Sequence, residues 1–258
     1  MDEYLTLLEH DLPGLVTGFY LAGSIALDAF NERLSDIDFL AVVSRRCTDY
    51  DLERLASIHQ QIARKLSQWP MEGNYLQWAD LGKLDEALSP YPFYYEGNLH
   101  PSGHHDTDSV LWWVLKTHGI AIIGPEPETL PFVVDWDVLI ARMRENLNTY
   151  WIKFTINPRR MLWLLTDDGI QWAVLGVLRQ FYTFEEHDIT SKTGAGEYAL
   201  THLPAKWHQL IREAIKFREQ SVASLYNSKF VRAMDTVRFL KYVIDSCNSG
   251  RIVVHSDK

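Results

Sequence analysis

A glycine and a serine, Gly23-Ser24, stand eleven residues ahead of the triplet Asp36-Ile37-Asp38. The residues that follow, Phe39-Leu40-Ala41-Val42-Val43, are continuously apolar, so a buried strand is predicted over 35–43. Alternate residues of a strand project to one face, which sets Asp36 and Asp38 side by side at its entrance. Two carboxylates so placed repel unless a cation lies between them. Hard divalent ions such as Mg²⁺ take carboxylate oxygen and usually keep substrate phosphates as further ligands. The Gly-Ser pair suits the same use. Glycine lets phosphate oxygens approach the backbone, and a serine opening a helix offers its hydroxyl and free N–H groups to an anion. An Asp-x-Asp recurs by chance and Ser35-Asp36 is by itself a turn signal. In this order, strand, Gly-Ser turn, short helix and carboxylate pair describe a cradle for a metal-bound triphosphate.

The elements that must position these groups can be read from periodicity. Residues 2–9 have helical spacing through Tyr4, Leu5 and Leu8, and Pro13-Gly14 ends them before a strand over 16–22. A short helix is expected over 25–30 and a long one over 51–68, where Leu52, Leu55, Ile58, Ile62 and Leu66 recur at three- and four-residue steps. A β segment over 71–78 follows, and then a stretch over 88–108, rich in Pro, Tyr, Gly and His, that shows neither period and reads as a long loop. Helix returns over 109–118 and strand over 120–123. Strands alternating with helices indicate an α/β layer. Past Pro131 only helical spacing remains, over 138–155, 161–165, 170–184, 207–226 and 230–247, which indicates an all-α bundle. The expected division is therefore a mixed-sheet α/β domain over 1–135 and a helical domain over 136–258.

Composition narrows the partners. In 258 residues, 25 Lys and Arg face 34 Asp and Glu, a net charge of -9, so a polyanion such as nucleic acid is a poor main ligand and a cationic or metal-bridged one a better fit. The two cysteines, Cys47 and Cys247, form no metal-binding or disulfide pattern, which suits a reducing compartment. With an acidic start at Met1-Asp2-Glu3 and no apolar run near the roughly 20 residues that span a bilayer, a cytoplasmic protein without membrane contact is expected. No coiled-coil heptads call for assembly, so a monomer is expected.

The segment Tyr91-Pro92-Phe93-Tyr94-Tyr95-Glu96 sets aromatic faces beside a carboxylate, a lining for a cationic sugar, with packing as the alternative. His100, His104 and His105, with Asp106 and Asp108, fit no zinc spacing and read as an exposed polar loop.

Leu21-Ala22-Gly23-Ser24 through Ser35-Asp36-Ile37-Asp38 resembles the signature of the polymerase-β-like nucleotidyltransferases, and among them the aminoglycoside adenylyltransferases that modify streptomycin and spectinomycin. The resemblance continues in 115–125, which ends in Gly124-Pro125, and in the spacing of Arg179 and Lys192 in the helical half. It implies a two-domain enzyme that binds ATP and substrate between its domains. Asp36 and Asp38 would hold two Mg²⁺ ions, and a substrate hydroxyl would attack the α-phosphorus and release pyrophosphate. Glu72, in Met71-Glu72-Gly73-Asn74, matches the family's proton acceptor; Gly73-Asn74 departs from a regular strand, and a solvated strand-end charge is the other reading. Lys192, in the Ser, Thr and Gly-rich loop 190–194, would contact the nucleotide phosphates, against an exposed lysine, and Arg179 a phosphate or the other domain, against a surface ion pair. In Thr166-Asp167-Asp168-Gly169 one aspartate would bind an ammonium or guanidinium of the antibiotic, or the residues would cap a helix. The same chemistry on another small-molecule or protein hydroxyl, and a catalytically silent nucleotide-binding module, are the competing functions.

Overall fold

The computed structural model describes residues 1–219 and 223–250. The chain divides into two compact units, Met1–Asp135 and Trp136–Lys258.

The first unit runs α1 (Asp2–Asp11), β1 (Val16–Leu21), α2 (Gly23–Ala26), β2 (Ile37–Val43), α3 (Asp49–Lys65), β3 (Met71–Gln77), β4 (Tyr91–Tyr95), β5 (Asn98–Gly103), α4 (Ser109–His118) and β6 (Ile120–Ile123). Its single mixed sheet has the order β5-β4-β3-β2-β1-β6. Only β2 and β3 are parallel, as the α3 crossover between them requires. The continuous apolar run of β2 is explained by burial on both faces. Phe39, Ala41 and Val43 join Phe19, Tyr75, α1 and α3 on one side, while Leu40 and Val42 join Tyr20, Leu76 and the α4 residues Trp112 and Leu115 on the other. Helix α3 starts at a capping box in which the Thr48 hydroxyl accepts from the Asp51 N–H and the Asp51 carboxylate accepts from Thr48, and it buries Leu55, Ile58, His59 and Ile62.

One sequence expectation in this unit fails. The stretch 88–108 is not a loop but contains the β4–β5 hairpin, whose turn residues Glu96 and Gly97 both have positive φ, 47° and 76°. Such two-residue turns favour Asn-Gly or Asp-Gly, and a glutamate there, with Pro92 and Pro101 inside the strands, conceals the hairpin. The short helix also begins earlier than expected, at Gly23.

The second unit is helical: α5 (Trp136–Asn146), a π-helical turn (Leu147–Trp151), α6 (Lys153–Ile156), α7 (Pro158–Trp163), α8 (Asp167–Glu186), α9 (Lys192–His202), α10 (His208–Arg218) and α11 (Lys229–Ser249). Its axis is α8, fully buried at Ile170, Val174, Leu178 and Phe181, with α9, α10 and α11 packed around it. The helix expected over 138–155 is thus three pieces. The one expected over 207–226 ends at Arg218, and residues 220–222 of it lie outside the described part. The loop expected over 190–194 is a helix start. Ser191 caps it by accepting from the Gly194 N–H, and α9 begins at Lys192. Among the described residues no helix is long and apolar enough to cross a membrane.

Candidate active site

Strands β1 and β2 pair antiparallel with Leu21 opposite Phe39, and the Ala22 N–H donates to the Asp38 carbonyl at 3.0 Å. That register brings the start of α2 against Asp38. Gly23 has φ +54°, and a Cβ there would stand 1.8 Å from Asp38 Oδ2, so only glycine leaves the carboxylate where it is. Beside it, the Ser24 Oγ is buried and has no hydrogen-bond partner. On the other side of β2, parallel pairing sets Glu72 directly opposite Asp38. Asp36 lies one residue ahead of the strand, not within it, and hydrogen bonds to the Glu72 carboxyl. Burial, and then the charges of Asp36 and Asp38, push the Glu72 carboxyl up to about 7, against the Glu96 backbone N–H, which donates to it and favours the ionised form. Glu72 is therefore held between two carboxylates and is not a solvated strand-end charge.

The β4–β5 turn supplies that N–H, so Glu96 reaches the site through its backbone. The Tyr95 phenol is raised by its hydrogen bond to Glu96, by burial and by the charges of Glu96, Glu72 and Asp106. The structure thus brings Gly23, Ser24, Asp36, Asp38, Glu72, Tyr95 and Glu96 to one end of the sheet.

This set fits Mg²⁺. Its donors are carboxylate oxygens, the glycine clears backbone beside them, and their mutual repulsion is what a bound cation would relieve. Among the described residues no three His, Cys, Asp or Glu side chains form a metal-holding group on their own. Magnesium characteristically uses one or two carboxylates and completes its shell with water and phosphate oxygen.

The other expected residues lie in the second unit. Thr166, not an aspartate, caps α8, accepting from the Gly169 N–H at 3.0 Å. Asp167 Oδ1 accepts from buried Arg232 at 2.8 Å, and exposed Asp168 accepts from Gln171 at 3.1 Å. Arg179 Nε donates to the Thr190 carbonyl at 3.1 Å, tying α8 to the residues that lead into α9. Lys192 sits at the first position of α9 with its Nζ 4.7 Å from the Trp172 ring centroid. Trp172, missed in the sequence, donates its Nε1 proton to the Tyr150 hydroxyl at 2.9 Å. Seven residues before Arg179 on the same helix is the spacing that could have revealed it.

The fold is that of a nucleotidyltransferase. A spectinomycin adenyltransferase from Enterococcus faecialis, solved with ATP and spectinomycin, superposes with a TM-score of 0.66 at 17% identity, covering 93% of this chain and 97% of that one. Residues 164–241 match the family model of the aminoglycoside adenylyltransferase C-terminal domain. A spectinomycin 9-adenylyltransferase from Campylobacter jejuni is 21% identical over 257 residues, 95% of this chain and 94% of its own length. Over nearly its whole length the chain is thus similar to these adenylyltransferases, and 164–241 matches the C-terminal domain model of that family.

Proposed function

We propose that the protein transfers AMP from ATP to a hydroxyl of an aminoglycoside or aminocyclitol, with spectinomycin and streptomycin as the candidate acceptors, and releases pyrophosphate. The observation that carries this reading is the convergence of Asp36, Asp38 and Glu72 beside the Gly23-Ser24 turn. Asp36 and Asp38 are the Mg²⁺ ligands; the bound metal, two ions by family resemblance, supplies charge neutralisation for the triphosphate. Gly23 and Ser24 receive phosphate oxygens. Glu72 takes the proton of the acceptor hydroxyl, whose oxygen bonds to the α-phosphorus as the bond to the pyrophosphate oxygen breaks. A carboxyl raised toward neutrality is a suitable base for that proton.

In the second unit Lys192 contacts phosphate as a point charge, and Arg179 holds the chain leading to it. Asp168 and the untethered oxygen of Asp167 offer negative charge to the antibiotic's ammonium groups, and Tyr95 with Glu96 adds an aromatic face and a carboxylate.

The test incubates the protein with ATP, Mg²⁺ and a panel of spectinomycin, streptomycin and a kanamycin-type compound while following pyrophosphate. Release that depends on spectinomycin or streptomycin, and is lost in EDTA, is expected. Release with none of the panel overturns the antibiotic reading, and ATP binding without turnover identifies a silent module.

A further inference from the structure

The histidines of the β5–α4 connection have no part in the reaction described above, yet one of them is held as few loop residues are. The His105 N–H donates to the Tyr91 hydroxyl at 2.7 Å, and its carbonyl accepts from Asn74 Nδ2 at 2.8 Å and from the Thr107 hydroxyl at 3.2 Å. Its ring stacks on Phe93 at 5.0 Å with planes 12° apart and meets Tyr95 at 4.5 Å. Asp106, which follows, is exposed at a φ of +48°.

These contacts close a ring. Asn74 lies two residues beyond Glu72 on β3 and so projects to the same face. From Asn74 the path runs to His105, from the His105 ring to Tyr95, from the Tyr95 hydroxyl to the Glu96 carboxylate, and from the Glu96 backbone N–H back to Glu72. Asn74 is buried and its Oδ1 has no partner, so its place there is not explained by a full hydrogen-bond balance. The hydrogen bond that its Nδ2 donates to the His105 carbonyl supplies a reason. The Glu96-Gly97 turn is a two-residue tip, and the His105 ring packs against the Tyr95 that leads into it.

We propose that His105 is a positioning residue for Glu72, fixing through Tyr95 and the β4–β5 turn the Glu96 N–H that aims the carboxylate at the acceptor hydroxyl. The role belongs to the flat ring and its pinned backbone, not to proton transfer by the imidazole. It rests on Glu72 being the base in the proposed reaction.

The test measures kcat and both KM values for His105→Ala, His105→Gln and His105→Phe, with Glu72→Gln alongside and thermal melts of each. Loss of the ring should lower kcat about 10- to 100-fold, the scale of a small misplacement of a reacting group, with the KM for ATP unchanged. His105→Phe should restore most of the lost kcat. Wild-type kcat in the ring-less variants, or a loss that phenylalanine does not restore, overturns the proposal. So does a fall in kcat matched by an equal rise in both KM values and a collapsed melt. Normal transfer by Glu72→Gln overturns the underlying base assignment instead, so the two failures are distinguishable.

Discussion

Asp38 Oδ2 occupies the space that a side chain on residue 23 would need: a Cβ on Gly23 would lie 1.8 Å from it. Replacing Gly23 with alanine therefore does two things. It places an L side chain at φ +54°, a conformation costing about 1 kcal/mol, and it drives the Asp38 carboxylate off its position. Transfer should fall by at least about 100-fold, with weaker Mg²⁺-dependent ATP binding by calorimetry and little change in the melting of the helical unit. Activity near wild type would mean that Asp38 does not act from this position.

Asp38→Asn removes a proposed metal ligand but not the volume, and turnover should be lost while the fold remains. Glu72→Gln should bind ATP and transfer about 10²–10⁴-fold more slowly, the usual contribution of a positioned base. The same substitution removes one of three mutually repelling carboxyls. Without divalent ions it should melt higher than wild type, and added Mg²⁺ should narrow the difference. A variant that melts no higher in EDTA would contradict the charge crowding that raises Glu72.

His59 lies in the core of the first unit, away from this chemistry. Its Nε2 is 2.6 Å from the Tyr75 hydroxyl and 3.2 Å from that of Tyr4, and its ring stacks on Tyr94 at 3.7 Å. Burial holds its pKa down to about 3, so the folded protein keeps the ring neutral. Between that value and the ordinary 6.5 the unfolded chain binds the proton and the folded one does not. Stability from this group is therefore complete above 6.5 and falls as pH drops toward 3, by at most about 1.4 kcal/mol per pH unit. Urea midpoints at pH 7 and 4.5 should show a smaller difference for His59→Gln than for wild type. Equal differences would remove His59 from the acid sensitivity.

How far the sequence reveals this site depends on what each residue's pattern had to satisfy. The run Phe39–Val43 is legible because β2 is buried on both faces, and the order of Gly23, Ser24, Asp36 and Asp38 is legible because strand period and turn chemistry agree on it. The β4–β5 hairpin is not. Its turn is made by Glu96 at positive φ, which local preference disfavours, and its contacts are with Glu72, 24 residues earlier, and with the His105 ring beyond β5, neither of which local pattern reveals. The start of α9 hides for another reason: its glycines and apolar residues are spread around the helix, so no face stands out. The sequence leaves Asp167 open between cap and ligand because its partner, Arg232, is 65 residues away.

That partner leads to a further measurement. Arg232 and Glu213 are both fully buried and joined at 3.0 Å, while Glu213 also accepts from the Ser224 hydroxyl and, at 2.6 Å, from the Leu225 N–H. Arg232 reaches onward to Asp167 and to the Leu165 carbonyl, so one guanidinium joins α10, α11 and the entry to α8. Removing it alone leaves the Glu213 charge in the core, and Arg232→Met should cost about 3–5 kcal/mol. The double variant Glu213→Met, Arg232→Met buries no charge and should recover much of that loss. Chemical denaturation of both single variants and the double gives the coupling directly. A double variant as unstable as the sum of the singles would show that the pair is not coupled. If the double variant also keeps its KM for the antibiotic, Asp167 does not depend on Arg232 to meet the substrate, and Asp168 becomes the carboxylate to test next.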